Sequence, residues 1–69
     1  MDNDGISLTF FVIRGKCYDQ IGQFRLAVAD FSKAIELEPN RHFNYYYRAN
    51  SFRKGKQYLS AREDYRKVL

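Results

Sequence analysis

The sequence predicts an all-α fold in which two helical hairpins stack as a fragment of an α-solenoid. Three observations indicate this fold. The 69 residues include only one proline and four glycines, and 45% of them are hydrophobic. Apolar residues recur three and four positions apart, as on one face of a helix. The chain also resembles itself after a shift of 34 residues.

The internal similarity pairs residues of the same type or size in the two halves. Identical pairs include Arg14 with Arg48 and Asp30 with Asp64. Ala27 and Ala61 are also identical, and other pairs preserve size or aromaticity: Tyr18 with Phe52, Phe24 with Tyr58, Phe31 with Tyr65, and Ala34 with Val68. Self-similarity at a fixed period of this length is typical of helical repeat proteins.

Four helices follow from the spacing of the apolar residues, and we predict them near 8–21, 24–37, 42–54 and 57–69. Ser7 is the predicted N-cap of the first helix. Gly22 separates the helices of the first hairpin, and Pro39 ends the second helix. We therefore expect an N-terminal extension over 1–7, a first repeat over 8–41, and a second repeat over 42–69 that is truncated at its end.

Small and aromatic residues alternate on the predicted packing faces. Ala27 is small because the two helices of a hairpin are expected to cross closely there. Gly15 and Ala49 are predicted to be small for the same reason, and the rings of Phe31 and Tyr65 to fill the space beside each crossing.

These residues resemble two tandem tetratricopeptide repeats. The family pattern is an aromatic residue, a leucine–glycine pair, a tyrosine, and later an alanine, an aromatic residue, an alanine and a closing proline. The matching residues of the first unit are Phe11, Gly15, Tyr18, Gly22, Phe24, Ala27, Phe31, Ala34 and Pro39. Those of the second are Tyr45, Ala49, Phe52, Tyr58, Ala61, Tyr65 and Val68. The chain departs from the pattern in two ways: Arg14 and Arg48 occupy the leucine positions, and Gly55 lies one residue before the counterpart of Gly22.

The resemblance implies a protein-interaction module whose first helices line a concave groove. In the first unit this groove would contain Thr9, Val12, Ile13, Lys16, Asp19 and Gln20. In the second it would contain Phe43, Tyr46, Tyr47, Asn50, Arg53 and Lys54. The peptide-binding residues that we predict are Lys16, Phe43, Tyr46, Tyr47, Asn50, Arg53 and Lys54. The lysine–asparagine clamp with which some members hold chaperone C-termini is absent, because Val12 and Tyr46 stand where its lysines would be.

Charge is unevenly distributed along the chain. Residues 1–39 contain four basic and six acidic side chains, whereas residues 40–69 contain eight basic and two acidic ones. Aromatic residues alternate with the basic ones after Pro39, which favours an acidic and apolar partner segment. Single-stranded nucleic acid is the alternative ligand, since bases stack on rings and phosphates bind cations, but the resemblance favours protein partners. A further alternative is a self-associating structural fragment of a longer repeat array.

No catalytic motif, phosphate-binding loop or cluster of metal ligands occurs in the sequence, so we expect neither an enzyme nor a cofactor. The single cysteine, Cys17, favours a reducing compartment and is predicted to be a buried structural residue. The apolar run near the N-terminus lacks a basic leader and is too short to span a bilayer. We therefore expect an intracellular, cytoplasmic protein that does not enter a membrane.

Overall fold

The computed structural model describes residues 4–69 and contains four α-helices in that range. Helix α1 spans Asp4–Gln20, α2 spans Phe24–Leu37, α3 spans Phe43–Lys54 and α4 spans Tyr58–Val68. Residues 4–69 form no strand. The predicted all-α fold is confirmed.

The helices pack in chain order. Helix α1 packs against α2, α2 packs against α3, and α3 packs against α4. Helix α1 also contacts α3 directly, so that the first helices of the two hairpins lie side by side. The chain is therefore two helix-turn-helix hairpins stacked on each other, as predicted.

Three of the predicted helices agree with the structure to within one residue at each end, but α1 begins earlier than predicted. Ser7 lies inside α1, so its prediction as an N-cap is wrong. The helix has begun by Asp4, and the Thr9 hydroxyl in addition donates a hydrogen bond to the Gly5 carbonyl one turn earlier at 3.0 Å. The prediction began where the apolar periodicity begins, whereas backbone hydrogen bonding does not require an apolar face. Residues 4–7 of the predicted extension thus belong to α1, and residues 1–3 lie outside the described part.

Each hairpin turns through the same backbone geometry. In the first turn, Gln23 N–H donates to the Tyr18 carbonyl at 2.8 Å and Gly22 has a φ of 84°. In the second turn, Gln57 N–H donates to the Phe52 carbonyl at 2.8 Å. This pattern is the Schellman motif, in which the residue after the helix adopts a left-handed backbone. The left-handed residue of the second turn is Lys56, with a φ of 67°, and not the neighbouring Gly55. The turn therefore keeps its register although the glycine is displaced by one position.

Small residues occupy the helix crossings at the centre of the fold. Ala27, Ala34 and Ala49 are completely buried, as is the large ring of Phe31. A Cβ atom placed on Gly15 would lie 2.8 Å from a carbon of that ring. Glycine at this position therefore allows α1 to approach α2 closely enough to pack on Phe31.

An arginine–aspartate ion pair recurs in both hairpins. Arg14 Nε and Nη2 donate to the two carboxylate oxygens of Asp30 at 2.8 and 2.9 Å. Arg48 binds Asp64 through the same atoms at 2.7 and 2.9 Å. Both carboxylates are buried, and a buried charge requires a charged partner. This explains why arginine stands at the two positions where the family pattern has leucine.

Cys17 is exposed and free, so its prediction as a buried structural residue is wrong. Its counterpart one repeat later, Ser51, is completely buried where α3 packs against the first hairpin. No helix among residues 4–69 covers the corresponding face of α1. The repeat pattern thus identified equivalent positions without showing which of them is covered.

Candidate functional site

The surface formed by α1 and α3 contains two depressions. We call the first the N-terminal groove; its volume is about 220 Å³, and it is lined by Leu8, Thr9, Val12, Ile13, Arg41, Phe43, Asn44 and Tyr47. We call the second the central pocket; its volume is about 190 Å³, and it is lined by Lys16, Asp19, Gln20, Phe31, Tyr47 and Asn50. Tyr47 lines both depressions. All of the residues predicted for the groove side of the first unit therefore line one depression or the other.

The Tyr47 ring packs against the core and does not project freely from the surface. Its ring is half-buried and lies 5.6 Å from the ring of Phe31, measured between centroids. The ammonium group of Lys16 lies 4.3 Å from the centre of the Tyr47 ring, on the other helix. This cation–π contact joins α1 to α3 and occupies one face of the tyrosine.

Phe43 and Tyr46 are the exposed aromatic residues of α3. The side chain of Phe43 is 69% exposed at the edge of the N-terminal groove. Tyr46 is also exposed, and its ring lies 6.2 Å from those of Tyr47 and Tyr65. These two rings leave apolar area open to a ligand at the start of α3.

Asn50 and Arg53 are engaged with α4. The Tyr65 hydroxyl donates a hydrogen bond to Asn50 Oδ1, and Arg53 Nε donates to the same hydroxyl at 3.2 Å. The hydrogen bond to Tyr65 raises the pKa of the Arg53 guanidinium. The three side chains form a small network that fixes the second half of the α3 surface.

Lys54 and Asp19 join the two repeats. Lys54 Nζ donates to Asp19 Oδ2, and the buried Ser51 hydroxyl donates to Asp19 Oδ1, both at 2.7 Å. The carboxylate of Asp19 thus accepts two hydrogen bonds from α3. Of the residues that we predicted for peptide binding, Lys16, Tyr47, Asn50, Arg53 and Lys54 all have polar or cation–π partners, whereas Phe43 and Tyr46 are exposed rings without a polar partner among the described residues.

Two polar residues of the N-terminal groove were not among the predicted binding residues. Arg41 is exposed and has no ion-pair partner among the described residues. Asn44 is only 1% exposed, and its Nδ2 atom has no hydrogen-bond partner among the side chains and backbone of residues 5–69. The sequence did contain a signal for Asn44. It lies one repeat after Phe10, so a polar amide replaces an apolar ring at the equivalent position.

Comparison with protein families gives two matches. Two models described as tetratricopeptide repeat match the chain, one over residues 11–41 and the other over residues 44–69. The chain belongs to the tetratricopeptide repeat family. This family is a non-catalytic scaffold for protein–protein interaction, and the coarse function of the chain follows from that membership. Comparison with curated proteins and with solved structures gave no match.

The described part of this tetratricopeptide repeat chain has no group of histidine, cysteine or carboxylate side chains arranged to bind a metal ion. Within the same residues, every helix falls short of the length and apolar character needed to cross a membrane. The α1–α3 surface is the candidate site because its two depressions contain residues predicted for the groove, and its chemistry is mainly that of rings, amides and cations.

Proposed function

We propose that the chain binds a segment of a partner protein along the concave groove expected on α1 and α3. The observation that best supports this proposal is the exposure of Phe43 beside apolar side chains of α1 in the N-terminal groove. An exposed ring next to an apolar depression is costly in water and gains stability when a partner covers it. Aromatic residues are also among the most frequent hot spots of protein interfaces.

The cations of α3 favour a protein partner over single-stranded nucleic acid. Arg48 is paired with Asp64, Lys54 with Asp19, and Arg53 with the Tyr65 hydroxyl. Binding to a nucleic-acid backbone requires several cations that can neutralise phosphates. Because carboxylates neutralise Arg48 and Lys54, and Arg53 is hydrogen-bonded to a hydroxyl of α4, these α3 cations support the structure of the repeat more than they favour phosphate binding.

Selection from a displayed library of random peptides tests this proposal directly. We expect peptides to be enriched and to bind the purified chain measurably in titration calorimetry. Phe43→Ser should weaken their binding by roughly tenfold, since it removes one apolar anchor. Leu59→Ser is the matched control, because Leu59 is 77% exposed on α4 and lines neither depression.

Nuclear magnetic resonance should locate the bound peptide. Amide shifts are expected to concentrate on α1 and α3. Shifts confined to α2 and α4, or equal losses of affinity in the two variants, would contradict the proposal.

Self-association is a second candidate, supported by different residues. Tyr58, Leu59 and Leu69 are exposed apolar side chains in or next to α4. Sedimentation over a concentration series measures it. We expect a rise in average mass with concentration that Leu59→Ser reduces, and a constant monomer mass would exclude this candidate.

A further inference from the structure

We infer that the N-terminal groove recognises a partner segment in which an apolar side chain stands next to an acidic one. This inference rests on the proposed function and names the chemistry of the partner. It places the main recognition at the start of α3 instead of at Asn50, Arg53 and Lys54, which have internal partners.

The apolar part of the site comes from both helices. Leu8, Val12 and Ile13 of α1 face Phe43 and Tyr47 of α3 across the groove. The volume of about 220 Å³ is large enough for a single bulky side chain. Covering Ile13 and Phe43, which are both exposed, would remove apolar area from water and supply most of the binding free energy.

The charge of the groove selects an anion. Among the side chains of residues 5–69, Arg41 is the one charged residue that lines the groove, and no aspartate or glutamate of that range lines it. The ion pairs formed by the side chains of residues 5–69 do not include Arg41. An acidic side chain beside the apolar anchor would complement this guanidinium, which offers paired N–H donors to a carboxylate.

Asn44 provides a second donor. Its side chain is almost completely buried, yet Nδ2 lacks an acceptor among the described residues. A buried donor without an acceptor destabilises the free protein, and a ligand oxygen that accepts its hydrogen bond removes that cost. The torsion that turns a terminal amide is broad, so the Asn44 amide can turn toward a carboxylate or carbonyl oxygen in the groove.

The central pocket lacks this preference. Its cation, Lys16, lies over the Tyr47 ring, and its carboxylate, Asp19, already accepts hydrogen bonds from Ser51 and Lys54. Because its two charged groups already have internal partners, the central pocket does not favour an anion as its ligand. The two depressions therefore differ in ligand chemistry although they share Tyr47.

The test uses short synthetic peptides with blocked termini, so that any carboxylate belongs to a side chain. One set contains leucine followed by aspartate or glutamate, and the matched set contains leucine followed by asparagine or glutamine. We expect the acidic set to bind roughly five- to tenfold more tightly, a value between those of an exposed ion pair and of a charge-assisted hydrogen bond out of contact with water. Arg41→Glu should remove this preference. Arg62→Glu makes the same change of charge on α4, outside the groove, and should leave it intact.

The Asn44→Leu variant distinguishes a role of Asn44 in binding the ligand from a role in folding alone. Leucine has the same branched shape but no donor, so we expect the free protein to melt at a higher temperature while binding the acidic peptides several-fold more weakly. Unchanged affinity for the acidic peptides, with altered stability, would show that Asn44 acts in folding alone and would overturn its role as a donor to the ligand.

The outcomes distinguish the two proposals. If acidic and amide peptides bind equally, with resonance shifts at Val12 and Phe43, the inference about the carboxylate is overturned and the proposed function stands. Shifts confined to Lys16, Gln20 and Asn50 would also overturn it. If no peptide of either set binds while peptides selected from the library do, the inference alone is overturned; if the library also gives no binder, both are overturned.

Discussion

Arg48 and Asp64 form a two-point ion pair between α3 and α4, with distances of 2.7 and 2.9 Å from Nε and Nη2 to the two carboxylate oxygens. Arg48 also donates to the Ser32 hydroxyl of α2 at 2.9 Å, so that one side chain joins three helices. The Asp64 carboxylate is buried, and the Arg48 side chain is 20% exposed. The pair in the first hairpin has the same geometry, but its arginine, Arg14, is 44% exposed.

Asp64→Asn should therefore lower the free energy of unfolding by about 2–3 kcal/mol, because it leaves a mostly buried guanidinium without its counter-charge. Chemical denaturation of the two proteins measures the loss. Asp30→Asn is the matched variant in the first hairpin and should cost less, since water screens Arg14 more effectively. An equal or larger loss for Asp30→Asn would contradict this ranking.

The effect of Asp64→Asn should not vary with pH in the neutral and mildly basic range. The hydrogen bonds to Asp64 raise the pKa of the Arg48 guanidinium above its value in the unfolded chain. The resulting stability is complete below the unfolded pKa and is lost only as pH rises through the folded pKa. Melting temperatures of both proteins from about pH 6 to 9 should differ by a constant amount. A difference that shrinks within this range would show that another group controls the pair.

Gly15→Ala should destabilise the fold by about 1–3 kcal/mol, because the new methyl group would overlap the buried ring of Phe31. Thermal unfolding measures this loss. In a Phe31→Leu background the same substitution should cost much less, since the opposing ring carbons are gone. Gly5→Ala is the control within α1, where a Cβ atom meets nothing within 4 Å, and it should be neutral or slightly stabilising. Equal losses at both glycines would contradict the close crossing.

Lys56→Gly should raise the free energy of unfolding by about 1 kcal/mol. Lys56 has a φ of 67°, a backbone conformation that disfavours any residue with a Cβ atom and favours glycine. Gly22→Ala introduces the same strain at the equivalent turn and should have the opposite sign. Denaturation midpoints of the two variants measure both effects. If Lys56→Gly destabilised the protein, the lysine side chain would contribute more to stability than the backbone strain takes away.

Asp19→Ala should weaken the contact between the repeats by about 1–3 kcal/mol. The substitution leaves the buried Ser51 hydroxyl and the Lys54 ammonium without their shared acceptor. A double-mutant cycle with Ser51→Ala should give a coupling free energy of roughly 1 kcal/mol. Gln20→Ala, on the next and exposed residue of α1, is the control and should change stability little. Additive effects of Asp19→Ala and Ser51→Ala would show that the two side chains act independently.

Part of the candidate site could be predicted from the sequence. The repeat spacing put Val12, Ile13, Phe43 and Tyr47 on the first helices, and these residues line the N-terminal groove. The spacing could not show that Lys54 binds Asp19 or that Asn50 accepts a hydrogen bond from Tyr65, since each contact joins residues on different helices. Arg41 and Asn44 were missed because one precedes α3 and the other lies on its packed side.

The sequence by itself determined the repeat, the four helices and the small residues at their crossings. These features are local or periodic: helix faces follow from spacing along the chain, and a shift of 34 residues is visible without coordinates. Tertiary structure decided which of the equivalent residues are buried and which polar side chains form hydrogen bonds or ion pairs with each other. Cys17 and Ser51 occupy the same repeat position, yet one is exposed and the other completely buried. Burial and ion pairing depend on the neighbours that stacking supplies, and the stacking of two hairpins covers one face of α3 while leaving the matching face of α1 open.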